Sequence, residues 1–440
     1  APPHSSSMCK ASSNKAVDGG ISMLFDCVIG AVLFLYTIGF LFFRVGELIP
    51  LVAYYSLECK SALFGAFILR RGRITFVGRR VKYLLLIASM VTLSYTMDNH
   101  IPKSLPVANE SHSAKTVVIT GANAGVGFET SRQLAVTYGM QVIMGCRSEV
   151  KCNNAANTIN AEIASAKSNG SVTPRIIDLS NLKSVESFAS QLLGDHSRVV
   201  DVLFNNAGYS PGVGIPVNSY GLDPSFTSMH LSHFFLTEQL LKANPKLRVV
   251  NTSSGTHHLC ALPFAYAPPS ILKSIASHNP GCVDEDYLQR GIKSETDGNA
   301  YIQAKIANIM HVVEIPRHHP RATSIAIDLG WVGTSIQPFM KGTLTPANLG
   351  FMRSANVGIS PVLHAILTSE KELLADLGDD DRKWKNSGFI MNVFGRPEEA
   401  FSYPWWNDHG ANANLSRERM MVLGEKLWEE STKLMEINGY

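Results

Sequence analysis

Three side chains in the second half of this 440-residue chain could together bind an alcohol or carbonyl oxygen and exchange a proton with it. Tyr301 and Lys305 form the pattern Y-x-x-x-K, and residues four apart share one face of a helix. A free phenol loses its proton at about pH 10, but a neighbouring ammonium favours the phenolate and lowers that pKa. Ser254 ends a β-branched run, RVVNTSS, and parallel sheets place their sites at such strand ends. We expect Tyr301 to act as general acid/base, with Lys305 beside it and Ser254 binding the substrate oxygen.

A glycine-rich turn earlier in the chain fits a dinucleotide. The run Thr116 to Thr120 predicts a buried strand that leads into Gly121, Gly125 and Gly127, and a helical stretch follows. Glycines permit the sharp turn and let the backbone approach a pyrophosphate, and the helix N-terminus offers unpaired N–H groups to phosphates. Taken alone, the loop could also be a structural turn. The predicted cofactor contacts of this segment are Thr120, Gly121, Asn123, Gly125, Val126 and Gly127.

The residue after the second predicted strand bears on cofactor choice. That strand, Gln141 to Gly145, is followed by Cys146, Arg147 and Ser148, without the acidic residue that binds a ribose 2′-hydroxyl in NAD-selective sites. The guanidinium of Arg147 instead offers a planar, permanently charged fork for a 2′-phosphate. We therefore expect NADP(H) rather than NAD(H), the alternative being an arginine that merely lies on the surface.

These motifs resemble those of the short-chain dehydrogenase/reductase family. The order T-G-x-x-x-G-x-G at the first turn, N-N-A-G at Asn205 to Gly208, the serine pair and Y-x-x-x-K is similar to that family's. The resemblance implies an α/β fold, a Rossmann-type doubly wound parallel sheet. It also implies that Lys305 holds the nicotinamide ribose, that a D-L pair ending the third strand (Arg175 to Ser180) faces the adenine, and that a later loop closes over the nicotinamide. The further cofactor contacts implied are Asp178, Leu179, Asn206, Ala207, Gly208, Gly330, Val332 and Thr334.

Within that family, the chain looks most like the retinol-dehydrogenase-like branch. Cys146-Arg147, the stretch His230 to Phe234 and the stretch Leu427 to Leu434 carry this resemblance, which covers roughly residues 116–437. It implies a lipophilic substrate, an alcohol or its carbonyl of retinoid, steroid or other lipid-like kind. The segment from Ser335 to Asn356 would form a lid over this substrate.

Three departures from the family pattern keep a second hypothesis open. Met229 replaces the asparagine of N-H-L-G-H-F, which helps hold a water for proton relay, and Leu329 replaces a proline above the nicotinamide. The insertion between Ser254 and Tyr301 is longer than usual for the family. The domain could therefore be an NADP(H)-binding accessory subunit of a membrane complex. A scaffold without cofactor would leave the glycine loop unexplained.

The N-terminal part of the chain reads as a membrane anchor. Hydrophobic residues make up 45% of the sequence and charged residues only 17%, below the roughly 25% usual for soluble proteins. Cys27 to Phe43 contains no charge and would span about 25 Å as a helix. Tyr83 to Met97 is a shorter apolar run, and a cationic cluster at residues 70–82 suits an anionic lipid surface. A buried soluble helix or a signal peptide is the alternative.

The expected domain organisation follows from these runs. A disordered tail (residues 1–21) precedes a membrane-anchoring region (22–97) with one or two transmembrane helices at about 27–43 and 83–97, a linker (98–115) and the short-chain dehydrogenase/reductase domain (116–440). We expect the protein in the endoplasmic reticulum or another organelle membrane, with the side of the catalytic domain left open.

Composition excludes some partners. The net charge of +3 is too small for nucleic-acid binding. Seven scattered cysteines without a C-x-x-C pair predict reduced thiols, with no disulfide framework and no metal site. The expected partners are the lipid bilayer and a lipophilic small molecule, and homo-oligomers or membrane-complex subunits are left open.

Overall fold

A computed structural model of the chain describes residues 105–209, 216–254, 291, 300–330, 332–334, 353–376, 389–391, 397–399 and 417–440. The predicted tail and both predicted membrane helices lie outside these residues. Among the helices within them, none combines the length and the apolar character that a bilayer crossing requires.

The described strands form one sheet in the order β3-β2-β1-β4-β5-β6-β7-β8. Neighbouring strands are parallel except for the last pair, β7 and β8, which is antiparallel. The order runs outward from β1 in both directions, so a crevice opens between β1 and β4 at the carboxyl ends of the strands. The prediction of an α/β doubly wound parallel sheet is confirmed. The strands are β1 Thr116–Thr120, β2 Gln141–Cys146, β3 Ser171–Ile176, β4 Val200–Asn205, β5 Arg248–Thr252, β6 Thr323–Ile327, β7 Phe389–Met391 and β8 Pro397–Glu399.

Helices connect these strands. One of the helices directly follows a short π-helix, π1. In chain order the elements are α1 Glu110–Ser113, α2 Gly125–Val136, α3 Glu149–Ala166, α4 Leu182–Leu193, α5 Pro224–Phe226, π1 Thr227–Leu231, α6 Ser232–Ala243, α7 Ala300–His318, α8 Ala355–Gly358, α9 Ser360–Leu367, α10 Glu370–Asp376 and α11 Arg417–Ile437. Polar caps mark several of the starts: the Ser148 side chain accepts from the Lys151 backbone N–H at the beginning of α3, and the Asn181 side chain accepts from Lys183 at that of α4.

The core lies on both faces of the sheet because alternate residues of each strand point in opposite directions. Val117 and Ile119 of β1 belong to an apolar cluster that also contains residues of α2, α3 and α9. Val118, between them, is equally inaccessible to solvent, as is Leu203 of β4. Burial on both faces explains why the middle of TVVIT is a continuous apolar run rather than an alternation of polar and apolar residues.

The third strand lies earlier in the chain than predicted. The sequence pattern predicts it at Arg175 to Ser180, whereas β3 is Ser171–Ile176 and Asp178 follows in the loop. Pro174 conceals this strand, since proline cannot donate to a sheet and normally argues against a strand. It is tolerated because β3 is the terminal strand of the sheet, with β2 on one side only.

The end of the predicted linker packs against the domain. Residues 110–113 form α1, capped by Asn109. The buried imidazole of His112 lies 3.3 Å from the Leu367 carbonyl oxygen through Nε2 and contacts the ring of Tyr138 edge-on. The described part of the folded unit therefore includes residues before Thr116.

The expectation that all cysteines are reduced thiols is wrong for one pair. Cys146 and Cys152 form a disulfide, with their Cα atoms 5.8 Å apart. The first is the last residue of β2 and the second lies near the beginning of α3, so a short turn brings them together although they do not form a C-x-x-C motif. This turn carries Arg147.

Candidate active site

The first βα turn is shaped by three glycines. Gly121 has φ +67° and Gly125 has φ +56°, both in the left-handed region that favours glycine. At Gly127 a Cβ would lie 2.4 Å from the Gly121 carbonyl oxygen and 2.6 Å from Asn206 Nδ2, so a larger residue would push the turn out of place. The backbone therefore follows a path that only glycine allows at these positions.

The N-terminus of α2 is open to an anion. Its N-cap residue, Ala124, makes no side-chain hydrogen bond to the helix, and the first turn carries no acidic residue. Thr334 lies beside Gly125: a Cβ added to Gly125 would be 3.2 Å from the Cβ of Thr334. Uncapped N–H groups on a 12-residue helix, next to a threonine, match the demands of a pyrophosphate. The residues present thus fit a dinucleotide.

The predicted adenosine contacts lie along the same edge of the sheet. Arg147 is exposed immediately after β2. Asp178 is half-buried, and its Oδ1 accepts hydrogen bonds from the backbone and hydroxyl of Ser180 at 3.0 and 2.7 Å. The carbonyl of Leu179 accepts a 2.6 Å bond from the Ser232 hydroxyl, which connects this loop to α6. Their contacts with adenine and phosphate stay predictions.

The segment after β4 is fixed to the glycine turn by Thr120. The Thr120 hydroxyl oxygen accepts the backbone N–H groups of Asn206 and Ala207, each at 3.0 Å. The Asn206 side chain donates back to the Thr120 carbonyl at 2.8 Å. Ala207 also lies against Gly121: a Cβ added to Gly121 would be 3.0 Å from the Cα of Ala207. This contact and the three hydrogen bonds hold the segment after β4 against the glycine turn, and together they form the floor of the crevice.

The three predicted catalytic side chains converge at the carboxyl end of β5. The hydroxyl groups of Tyr301 and Ser254 are hydrogen-bonded to each other. Lys305 Nζ lies 5.6 Å from the centre of the Tyr301 ring and donates a 3.0 Å bond to the Thr252 carbonyl. A Cβ added to Gly208 would be 3.4 Å from the same Nζ. Gly208 directly follows Ala207, which lies against Gly121, so Lys305 lies close to the glycine turn.

The electrostatics of the phenol differ from the prediction. Burial raises the pKa of Tyr301 above its ordinary value, Asp328 acts in the same direction, and the hydrogen bond from Ser254 opposes both. Burial also lowers the pKa of Lys305 to about 8. The expected lowering of the Tyr301 pKa by its ammonium neighbour is therefore wrong for this site, because desolvation of the phenolate dominates. Tyr301 is a protonated phenol at neutral pH, a proton donor.

The departures from the family pattern have visible consequences. Met229 lies in π1, fully buried, with its sulfur 3.4 Å from where a Gly208 Cβ would be. Leu329 is partly buried and packs against the apolar cluster. Gly330 follows with φ +65° and donates its N–H to Asp328 Oδ1 at 2.9 Å, while Val332 pairs with Arg353. Most of the predicted lid and of the insertion after Ser254 lies outside the described residues.

Sequence reasoning missed several polar side chains behind the site. Asn308 Nδ2 donates to the Thr252 carbonyl at 3.0 Å, so that this oxygen accepts from both Asn308 and Lys305. Asn205 donates to the Asn251 side chain at 2.8 Å, joining the ends of β4 and β5. Lys305 and Asn308 are three positions apart and therefore share one helix face. This spacing is the only signal in the sequence that could have predicted the role of Asn308.

Comparisons with known proteins agree with this geometry. The family model described as short chain dehydrogenase matches residues 115–263. Human retinol dehydrogenase 13 is 34% identical over 208 residues, covering 46% of this chain and 54% of that protein. Mouse retinol dehydrogenase 12 is 30% identical over 322 residues, covering 69% of this chain and 91% of that protein. This chain thus spans about half of the first relative and most of the second.

One solved structure is a short chain dehydrogenase from Shigella flexneri complexed with NADP. It is 19% identical to this chain and has a TM-score of 0.44, with 66% of this chain and 99% of that chain covered.

Proposed function

This chain belongs to the short-chain dehydrogenase family, and we propose that it is an NADP(H)-dependent oxidoreductase that interconverts a lipophilic carbonyl compound and its alcohol. The observation that carries the proposal is the hydrogen bond between Tyr301 and Ser254, with Lys305 5.6 Å from the phenol ring. These groups lie beside a glycine turn whose helix N-terminus carries no side-chain cap. Relatives named retinol dehydrogenase support a retinoid or similar lipid-like substrate.

The chain's own residues account for the proton step. When bound, NADPH supplies the hydride that reduces the carbonyl carbon. Tyr301, held protonated by burial, donates its proton to the carbonyl oxygen, and Ser254 hydrogen-bonds the same oxygen to hold it at the phenol. The Lys305 ammonium stabilises the phenolate left behind, and its bond to Thr252 keeps it in place. The raised pKa of Tyr301 keeps the phenol protonated at neutral pH, which is the form that carbonyl reduction requires.

Cofactor choice rests on Arg147. The residue is exposed at the end of β2, where its guanidinium could pair with a 2′-phosphate on the adenosine ribose. The stretch from Cys146 to Ser148 also lacks the acidic residue that would bind a ribose 2′-hydroxyl in an NAD-selective site. Both features support NADP(H) over NAD(H).

Attachment to a membrane is part of the proposal. The uncharged run Cys27 to Phe43 and the cationic cluster at residues 70–82 support it, as does a substrate that partitions into lipid. Extraction of the full chain from cell membranes tests it: detergent should release the protein and alkaline carbonate should not. Release by carbonate alone would exclude an integral anchor.

An accessory subunit that binds NADP(H) without turnover is the second candidate. Met229 favours it, since a thioether beside Gly208 cannot donate a hydrogen bond to a relay water. The two candidates differ in one experiment. The purified full chain in detergent is mixed with NADPH and a panel of lipophilic aldehydes and ketones, retinal included, and oxidation of NADPH is followed by absorbance.

The enzyme proposal expects turnover that falls by about 10²- to 10⁴-fold in Tyr301→Phe. Tyr138→Phe is the matched control, because Tyr138 is a buried phenol packed against His112, away from the site. Bound NADPH with no turnover for any member of the panel, and no effect of Tyr301→Phe, would support the accessory role instead.

A further inference from the structure

His233 connects two parts of the site, the glycine turn and the segment that carries Met229. It lies in the first turn of α6, directly after π1, and only 1% of its surface is exposed. Its Nε2 lies 2.9 Å from the Thr120 hydroxyl oxygen, and its Nδ1 lies 3.1 Å from the Met229 carbonyl oxygen. One imidazole therefore spans the distance between the glycine turn and the helix that carries Met229.

The surrounding hydrogen bonds determine where the imidazole carries its proton. Both acceptor positions of the Thr120 hydroxyl are used by the backbone N–H groups of Asn206 and Ala207, so its own proton is directed to His233. Nε2 must then be the unprotonated acceptor, and Nδ1 carries the proton that it donates to Met229. Burial lowers the pKa of His233 to about 4, which agrees with a neutral ring.

Both ends of this connection lead to reacting groups. At one end, Thr120 sets the position of Ala207, which lies against Gly121 in the glycine turn. At the other end, the Met229 sulfur and Lys305 Nζ both approach Gly208, each 3.4 Å from where its Cβ would be. A displacement of Thr120 would therefore move the glycine turn and Ala207, which form the floor of the crevice. A displacement of Met229 would move the side chain that forms the wall beside the Lys305 ammonium.

We propose that His233 is a positioning residue that, in its Nδ1–H form, holds the cofactor turn and the wall beside Lys305 in register. The inference rests on the proposed function for its kinetic part, but not for its structural part. It predicts two separable effects, one on cofactor affinity through Thr120 and one on turnover through Met229.

Two substitutions separate these effects. The amide nitrogen of asparagine can occupy the place of Nδ1, so His233→Asn keeps a donor for Met229 and loses the bond to Thr120. Glutamine reaches the place of Nε2, so His233→Gln keeps an acceptor for Thr120 and loses the bond to Met229. We expect His233→Asn to weaken NADPH binding about tenfold with kcat within about threefold of the parent, and His233→Gln to show the reverse.

Control variants distinguish positioning from general stability. His112→Gln alters another buried histidine, at 5% exposure, that packs near Leu367 and Tyr138, and should leave both NADPH affinity and kcat unchanged. Thr120→Val should weaken NADPH binding as His233→Asn does, with no further loss when the two are combined. NADPH affinity is measured by energy transfer from tryptophan to the nicotinamide.

A direct measurement makes the inference independent of activity. Long-range ¹H–¹⁵N spectra of the ¹⁵N-histidine-labelled full chain, with His233→Gln for assignment, should show a neutral Nδ1–H ring from pH 7 down to pH 5. A charged ring or an Nε2–H ring at pH 7 would overturn the inference. It would also fail if His233→Asn and His233→Gln changed affinity and kcat by equal factors while the parent enzyme was active. A parent chain that neither binds NADPH nor turns over, yet shows the Nδ1–H ring, would refute the proposed function alone.

Discussion

The hydroxyl of Tyr301 is hydrogen-bonded to the hydroxyl of Ser254, although 47 positions separate the two residues in the chain. Strand β5 ends just before Ser254, and α7 places Tyr301 and Lys305 on one face, one turn apart. This contact unites the two halves of a proton-donating site. Each of the following predictions depends on that site or on the crevice beside it.

The rate of carbonyl reduction should fall as the pH rises through about 8. Burial lowers the Lys305 pKa to about 8, so the ammonium that stabilises the Tyr301 phenolate formed by proton donation loses its own proton there. The pKa of Tyr301 is raised, so the phenol itself stays protonated at that pH and contributes no loss. The pH profile of kcat/KM with NADPH and an aldehyde should be level below pH 8 and decline above it. A profile that stays level to pH 10 would contradict this role of Lys305.

Arg147→Ala should reduce preference for NADPH. Removing a charged hydrogen-bonding partner of the 2′-phosphate should weaken NADPH binding by about 10- to 100-fold and leave NADH binding nearly unchanged. Dissociation constants for both nucleotides, measured by fluorescence titration, check this. Arg321→Ala, which removes another exposed guanidinium beyond α7, serves as the control and should leave both constants unchanged. If binding of NADPH and binding of NADH weakened by the same factor, Arg147 would not bind the 2′-phosphate.

Loss of the Cys146–Cys152 disulfide should loosen the turn that carries Arg147. The bond joins the end of β2 to α3 across that turn and so restricts the conformations of the turn in the free chain. Fewer conformations are then lost when Arg147 binds the cofactor. Cys152→Ser should therefore raise the NADPH dissociation constant on the order of a few-fold. Addition of a reductant should affect the parent chain in the same direction and the variant not at all. A parent chain in which thiol titration finds both cysteines reduced would remove the basis of this prediction.

Acid should destabilise the folded domain through buried histidines. Burial lowers the pKa of His230 to about 3 and that of His233 to about 4, and that of His311 also lies well below 6.5. Between these values and 6.5 the unfolded chain binds more protons than the folded one, so stability is complete above pH 6.5 and decreases as the pH falls. Each histidine should contribute about 1.4 kcal/mol per pH unit within that window.

Urea unfolding followed by circular dichroism at pH 7.5 and 5.5 measures this loss. The midpoint should be lower at pH 5.5, and His196→Gln, which alters an exposed histidine, should show the same difference as the parent. Equal midpoints at the two pH values would mean that the buried histidines do not remain neutral in the folded chain.

The sequence was most informative where chemistry demands particular residues at fixed spacing. The strand before Gly121, the glycine turn and the pair Tyr301 and Lys305 all follow from local rules of sterics and helix periodicity, and the structure confirms their placement. The sequence predicts Asp178 at a strand end, but Asp178 lies beyond β3. Pro174 hides this strand in the sequence, and only the terminal position of β3 in the sheet permits that proline.

Features that depend on tertiary environment could not be predicted. The direction of the Tyr301 pKa shift results from burial outweighing nearby charge, which spacing along a helix does not reveal. The Cys146–Cys152 bond depends on how a strand enters the following helix. The link from Thr120 through His233 to Met229 joins segments more than a hundred positions apart in the chain, so no local pattern announces it.

Hydride transfer from NADPH to a carbonyl carbon can be followed with an isotope label. The purified full chain is incubated with NADPH deuterated at the transferring position of the nicotinamide and with a lipophilic aldehyde, and the alcohol is analysed by mass spectrometry. We predict one deuterium on the carbinol carbon for the parent and for Tyr138→Phe, and loss of labelled product in Tyr301→Phe. Labelled product formed equally fast by Tyr301→Phe would show that Tyr301 is not the proton donor. No labelled product from the parent with any aldehyde, while NADPH remains bound, would show that the chain does not reduce these carbonyls.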